Sequence, residues 1–353
     1  MKRCAKCLLP ETYANIEFDD NGVCNICRAK KVKRPYTEND MIEILNEHKE
    51  LAIKLGRKYN CIVPFSGGKD SVFTLYTMVK KYGMTPLVVT FNHLFFTDVV
   101  KINQEKILKQ IGADSIEFKP DWKIVRKLML KSLTKTGDFC WHCHCGIYAY
   151  PMQVAVKYKI PLLIWGATDY VLEKDMGKKR DFNFFQQKIN LGIQAEKMTD
   201  DDISISDLEP FMYPSEEDLK RLNIVGINQA DYVEWNVREQ VTLIKKELDW
   251  EEAEFIEGSY VTYDKVECKY IGIRDYLKFL KRGYGRTCQL ASVDIRDDLL
   301  TRDEGLELME EYDGKRPDSL TPFLEDIGLK EHEFMEIALK HKESIARDPK
   351  IID

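Results

Sequence analysis

The chain has 353 residues, 44% of them hydrophobic, with ten cysteines and a formal net charge of −6. That length and composition support a sizeable core in two or three structural units. They offer no broad basic surface for a nucleic-acid backbone, so a tRNA-sized partner is disfavoured. No run of about 18 apolar residues could span a membrane, and Met1-Lys2-Arg3-Cys4 lacks the apolar core of a signal peptide; a cytoplasmic protein is expected. Six of the cysteines form three C-x-x-C pairs, which points to metal or redox chemistry rather than a disulfide framework.

In chain order, Cys4-x-x-Cys7 and Cys24-x-x-Cys27 are two hooks separated by 16 residues. That is the spacing of a zinc ribbon or knuckle, and four thiolates close a tetrahedral site without an open position, so a structural Zn²⁺ is expected. A helix is predicted within Tyr36 to Tyr59, with Thr37 as its N-cap. Then follow strand Cys61 to Phe65, helix Ser71 to Tyr82, strand Leu87 to Phe91, helix Val99 to Ile111, a weak strand near Ile116, helices Trp122 to Leu133 and Gly146 to Tyr158, and strand Pro161 to Trp165. This alternation predicts an α/β fold, a doubly wound parallel sheet that binds ligands at the carboxyl ends of its strands. Thr199 to Leu222, with Asp200-Asp201-Asp202 and two prolines, reads as a loop or mobile crossing whose acids are solvated. Helices are predicted at Asn236 to Leu248, Ile273 to Lys281, Arg302 to Tyr312 and His332 to Lys342, making the C-terminal part mostly α. The expected division is a zinc-binding segment 1–35, a nucleotide-binding core 36–198 and a helical region 199–353 that contributes Cys268 to the site.

Between the first strand and its helix stands Ser66-Gly67-Gly68-Lys69-Asp70-Ser71. Adjacent glycines let the backbone approach a ligand closely, and a helix N-terminus presents unpaired N–H groups to an anion, so a polyphosphate is the natural occupant. The pattern is not the Walker loop. It resembles the SGGxDS loop of PP-loop ATP pyrophosphatases, whose fold is adenine-nucleotide alpha-hydrolase-like and which cleave ATP to AMP and pyrophosphate. The resemblance implies that Ser66, Gly67, Gly68 and Ser71 hold phosphates, that Lys69 adds charge and that Asp70 orients Mg²⁺. Thr90 to Asn92, at the end of the second strand, and Gly166, after the last core strand, are further candidates for contact with ATP.

The second cysteine group, Cys140-Trp141-His142-Cys143-His144-Cys145, is the densest set of soft ligands, and Cys268 is a distant third partner for Cys140 and Cys143. The layout matches the PP-loop tRNA thiolases that carry an iron-sulfur cluster on C-x-x-C plus one later cysteine. A 4Fe-4S cluster with one open iron, zinc, and metal-free thiols all remain readings of these residues, with His142, His144 and Cys145 as alternative ligands. Cys61 and Cys288 read as small buried apolar residues.

Taken together, both N-terminal hooks, the Ser66 to Ser71 loop, Phe139-Cys140-Trp141-His142-Cys143-His144 and Glu267-Cys268-Lys269-Tyr270-Ile271-Gly272-Ile273-Arg274-Asp275-Tyr276 resemble the N-acetyl sugar amidotransferase family of bacterial surface-polysaccharide and pseudaminic or legionaminic acid pathways. The resemblance covers nearly the whole chain. It implies ATP-driven conversion of an acetamido group to an acetamidino group on a free or nucleotide-linked N-acetyl sugar, as in O-antigen synthesis. Ammonia would come from a separate glutaminase. Catalysis would fall to Lys69, Asp70, Cys140, Cys143 and Cys268. One departure is Trp165-Gly166-Ala167-Thr168-Asp169-Tyr170, where Trp-Gly-Glu-Asn is expected; Asp169 and Glu173 are candidates for Mg²⁺ or base. Arg274, Lys278, Lys281 and Arg282 recur at helical spacing and suit either a phosphate or sugar carboxylate, or solvent. The competing functions are a sulfur transferase acting on tRNA or a small molecule, and a non-catalytic nucleotide-binding scaffold.

Overall fold

The computed structural model describes residues 1–29, 34–166, 182–185 and 193–347. Asp169, Glu173 and the departure at 167–170 lie outside them. Strands β1 (Cys61–Pro64), β2 (Pro86–Phe91), β3 (Ser115–Phe118), β4 (Leu162–Trp165) and β5 (Val225–Asn228) form one sheet in the order β3-β2-β1-β4-β5. All neighbours are parallel, with Val63 opposite Val88 and Ile164 opposite Ile227. Strand β5 has no counterpart in the expected elements, because Val225-Gly-Ile-Asn is short and interrupted by glycine.

The alternation of side chains along each strand builds two cores. Ile62, Leu87, Val89, Leu163 and Trp165 face one, and Cys61, Val63, Val88, Leu162 and Ile164 face the other. Both faces must therefore be covered. Helices α1 (Glu38–Lys54), α2 (Lys69–Tyr76) and α3 (Asp98–Ile111) cover the second face, through Met41, Leu75 and Ile107 among others. Helices α4 (Trp122–Thr136) and α5 (Trp141–Tyr158) cover the first, through Leu128, Met129, Ala149 and Met152. Thr37 caps α1 as expected: its hydroxyl accepts from Asp40 N at 3.3 Å, and the Asp40 carboxylate accepts from Thr37 N at 2.6 Å.

Two segments differ from expectation. Helix α5 starts at Trp141, not Gly146, so the second cysteine group is helical rather than a loop before the helix. Gly146 is allowed there because Phe91 lies directly beneath it; a Cβ would fall 2.2 Å from the ring. The segment Thr199 to Leu222 is not an open crossing. It holds short helical turns at Ile205–Leu208, Glu209–Phe211 and Glu216–Arg221, and buries Ile203, Leu208 and Phe211 in the α4–α5 core. Its acids stay exposed, with Asp200 paired to Lys131 at 2.7 Å.

Beyond β5 come α6 (Val237–Leu248), α7 (Ile271–Arg282), α8 (Arg286–Arg296), α9 (Arg302–Tyr312), α10 (Leu320–Ile327) and α11 (Glu331–Arg347). Helices α8 and α10 are additions to the predicted set. Proline at the third position of α10 masks its start, and α8 buries Arg286, Ser292 and Asp294, which breaks the apolar stripe. The N-terminal segment packs against these helices and not the sheet. Leu8, Leu9 and Tyr13 share a small core with Tyr284, Ala291 and Ile295, and Leu8 N donates to Ser292 Oγ at 3.1 Å.

Candidate functional site

The strand order reverses at β1, whose neighbours β2 and β4 lead away in opposite directions. In such sheets the crevice beyond the carboxyl end at the reversal is where ligands bind. The Ser66 to Ser71 loop leaves β1 there, and Gly166 leaves β4 beside it. A Cβ on Gly166 would come within 3.0 Å of Thr74 Oγ1 and 3.2 Å of Asp70 O, so glycine lets the end of β4 approach α2.

Within the loop Gly67 has φ +81°, and a Cβ there would meet the Gln104 side chain at 2.7 Å. Ser71 Oγ accepts from Ser66 N and Gly67 N, each at 3.2 Å, and donates to Gly68 O at 3.0 Å. Ser66 Oγ accepts from Gly68 N at 3.3 Å. The two hydroxyls thus brace the turn itself. Its carbonyls are fastened from outside by Gln104, donating to Ser66 O at 2.8 Å, and by the Trp250 indole, donating to Gly67 O at 3.0 Å. Neither residue carries a sequence signal for this role. Gly68 caps α2 without a side-chain hydrogen bond, leaving a helix N-terminus of the kind that attracts anions.

Lys69 is 3% exposed, with its ammonium 2.9 Å from Asp70 Oδ2 and 2.7 Å from Asp264 Oδ1. The other oxygen of Asp70 is buried without a hydrogen-bond partner among the described residues. Asp264 continues the network. Its Oδ2 accepts from Arg286 Nη1 at 2.6 Å, Arg286 Nε donates to Asp275 at 2.7 Å, and Asp275 accepts from Lys278 at 3.0 Å. Burial would raise the Asp264 pKa, but Lys69 and Arg286 outweigh it and hold the carboxyl far below the usual range. Burial also lowers Lys278. No local motif marks Asp264 or Arg286, and the Glu267–Tyr276 run gives Asp275 no role of its own, because the three meet only through long-range packing. Arg274, Lys278, Lys281 and Arg282 line one small cavity with Asp138 and Asp275 rather than an open solvent face.

Thr90 Oγ1 donates to Phe65 O at 2.8 Å. Asn92 binds the Glu117 carboxylate and accepts from Leu94 N. Both side chains tie strand ends together beside the loop.

Cys140 precedes the first turn of α5, and Cys143 lies within it. Asp138 fixes this entry by accepting from Cys140 N at 2.7 Å and pairing with Arg274 at 3.4 Å. Cys268 arrives on the segment 264–269, which is pinned by Thr97 Oγ1 donating to Val266 O at 2.6 Å and by Lys269 N donating to Phe95 O at 2.9 Å. The same segment brings Glu267 against the Ser66–Ser71 loop, 2.8 Å from where a Gly68 Cβ would be. Cys140, Cys143 and Cys268 are half-buried, and burial raises the pKa of all three; Cys143 and Cys268 raise Cys140 further, Cys268 raises Cys143, and Cys268 itself is pushed up to about 11 by burial and Glu267. His142 and Cys145 are fully buried in the core.

Among the described residues, the group whose ligand atoms all fall within 4.8 Å is Cys4, Cys7, Cys24 and Cys27. Cys4 Sγ to Cys27 Sγ is 3.8 Å and Cys7 Sγ to Cys24 Sγ is 3.9 Å. A tetrahedral ion with Zn–S near 2.3 Å requires about 3.8 Å between sulfurs, so these four residues fit a zinc ion. Backbone N–H groups of Cys7 and Cys24 point at Cys4 Sγ, at 3.4 and 3.2 Å, as thiolates need. Cys7 is held far below the ordinary thiol range by the S–H groups of Cys24 and Cys27. Among the described residues, Cys140, Cys143 and Cys268 do not form a second group of this kind.

Residues 257–347 match a family described as the C-terminal domain of WbpG-like LPS biosynthesis proteins. They include Asp264, Cys268, Asp275, Lys278 and Arg286. A stretch of 124 residues, 34% of the chain, is 28% identical to the uncharacterized protein MJ1599 of Methanocaldococcus jannaschii and covers 43% of that protein. No helix among the described residues is long and apolar enough to cross a membrane. The C-terminal part of this α/β chain is thus similar to a domain of lipopolysaccharide biosynthesis proteins, which fits an enzyme of glycan biosynthesis.

Proposed function

We propose that the chain is an ATP-dependent amidotransferase that converts the acetamido group of an N-acetyl sugar to an acetamidino group. The observation that carries this reading is the convergence on one crevice of the Ser66–Ser71 loop at the end of β1 and the segment 264–268 from the WbpG-like part.

An amide oxygen is a poor leaving group, so ammonia does not displace it unaided. In the proposed reaction the acetamido oxygen attacks the α-phosphorus of ATP, and the bond to the pyrophosphate oxygen breaks. Ammonia then adds to the imidate carbon, loses a proton, and AMP departs. The loop amides and the α2 N-terminus would hold the polyphosphate, with the Lys69 ammonium countering charge on the departing pyrophosphate. Asp70, with one buried oxygen that lacks a hydrogen-bond partner, would hold Mg²⁺, which supplies charge neutralisation on the phosphates. Cys140, Cys143 and Cys268 would hold a 4Fe-4S cluster, which supplies Lewis acidity at an open iron. Cys4, Cys7, Cys24 and Cys27 would hold a structural Zn²⁺ in segment 1–35, beside a PP-loop core at 36–198 and the helical region 199–353.

A separate glutaminase would furnish ammonia in the cytoplasm. Cys288 supports this: it is fully buried, accepts from Arg3 at 3.4 Å and has its thiol pushed up to about 12 by burial, so it is no glutaminase nucleophile. The proximity of Cys143 and Cys268 to Cys140, whose pKa both raise, also favours, as a second reading, a sulfur transferase. Incubation with ATP, ammonia and nucleotide-linked N-acetyl sugars decides between them by mass spectrometry. Replacement of O by NH with equimolar AMP is expected; replacement by S with a sulfide donor would establish the second reading instead.

A further inference from the structure

Among the described residues the loop lysine meets two carboxylates of unlike character. Asp70 has a side chain 28% exposed and sits on the loop itself, whereas the Asp264 side chain is 2% exposed and belongs to a different part of the chain. Asp264 cannot follow Lys69 if the ammonium moves. Its second oxygen is fixed by Arg286 at 2.6 Å, and Arg286 is anchored in turn on Asp275 at 2.7 Å. This alternation of buried charges ties the ammonium of a loop residue to helices α7 and α8. A buried carboxylate between two cations is stable only while both remain in place, so the arrangement resists distortion.

We propose that Asp264 is the positioning residue for Lys69: it fixes where the ammonium stands beside the phosphate loop and acts on the reaction through Lys69 alone. Asp70 is then released to meet the cation that accompanies a polyphosphate, while Lys69 keeps its buried anchor. The inference rests on the loop's reading as an ATP site, and it assigns to the WbpG-like part a task in the chemistry of a loop lying outside it. Misplacing a charged group by about 1 Å can cost about 10²-fold in rate, and a positioning residue should show that cost in turnover rather than in binding.

The test compares Asp264→Asn, Lys69→Met and the double variant in the full chain. Titration with a non-hydrolysable ATP analogue should give Asp264→Asn an affinity within about twofold of wild type, with AMP formation lowered about 10²-fold at nearly unchanged KM. Asp264→Glu should recover part of the rate. The double variant removes a cation and an anion together, so it retains charge balance in the buried network should the single variant fail to fold. Its rate should equal that of Lys69→Met, because nothing is left to position. Wild-type turnover in Asp264→Asn, or a further loss on adding it to Lys69→Met, overturns the proposal. Wild-type protein that binds ATP but forms no AMP would refute the proposed reaction separately. Asp264 is then judged by amine acylation read by mass spectrometry. Lys69 should react several-fold faster in Asp264→Asn, having lost the carboxylate that keeps it protonated; equal rates overturn the proposal.

Discussion

At the scale of single residues, two carry sharp expectations. Asp70 touches Lys69 through a side chain 28% exposed, and its second oxygen has no hydrogen-bond partner among the described residues. Asp70→Ala should therefore reduce AMP formation by about 10² or more while shifting unfolding free energy by no more than about 1 kcal/mol. Undiminished turnover at saturating Mg²⁺ would remove Asp70 from the site. His93 concerns stability. It is buried, accepts from Phe95 N through Nδ1 at 3.2 Å and packs on Phe96, and burial, helped by His142, lowers its pKa to about 3. Between the ordinary imidazole value and 3 the unfolded chain takes up a proton that the folded chain refuses. Stability should thus fall as pH drops through that window, by at most about 1.4 kcal/mol per unit from this group. In His93→Asn, urea midpoints measured from pH 7 to 5.5 should decline less steeply; an unchanged slope would show that His93 is protonated in the fold. His142, lowered to about 4, acts in the same direction, so the slope should soften and not vanish.

At the scale of elements, α5 shows how a single glycine fixes the height of a helix. The Cβ that Gly146 lacks would lie 2.2 Å from Phe91 on β2, deep inside contact distance. Gly146→Ala gains about 1 kcal/mol of helix propensity but must overpack a filled core, at about 1–3 kcal/mol. The overlap is with a buried ring, so the loss should win, and α5 should lift and carry Cys140 and Cys143 away from Cys268. Chemical denaturation would show the net loss, and a stabilised variant would mean that the ring moves aside. The parallel strands β1, β2 and β4 and their helices were legible in the sequence because buried strands read as short apolar runs beside helical spacing. The start of α5 was not: Cys140 to Cys145 mimics a ligand loop, although Trp141, His142 and Cys145 are core residues. The loop Ser66–Ser71 was legible as a local word. Asp264, Arg286 and Asp275 were not, since buried ion pairs depend on residues 195 and 22 positions apart in the cases of Lys69 with Asp264 and Asp264 with Arg286.

At the scale of the whole molecule, the four-thiol site is a clasp between the chain's beginning and its C-terminal helices. Arg3 donates to Gly283 O at 3.1 Å, and Leu8 N reaches Ser292. Helix α8, which receives this clasp, also carries Arg286. Replacing Cys4 and Cys7 with serine should abolish zinc in metal analysis and lower the melting temperature by several degrees, as for a lost structural ion. An unchanged zinc content would refute the assignment. The same geometry dictates an order of assembly. Residues 1–29 leave the ribosome long before the surface they cover, which is made of residues 283 to 309. Until residues 283 to 309 are made, the N-terminal thiols lack that surface to lie against, so at the proposed zinc site capture of the ion would precede docking. Closure of the clasp, in which Arg302 also reaches Cys4 O across 298 positions, then becomes a late folding step. A cell short of zinc would accumulate chains whose sheet is formed while α8 and α9 lack their cover.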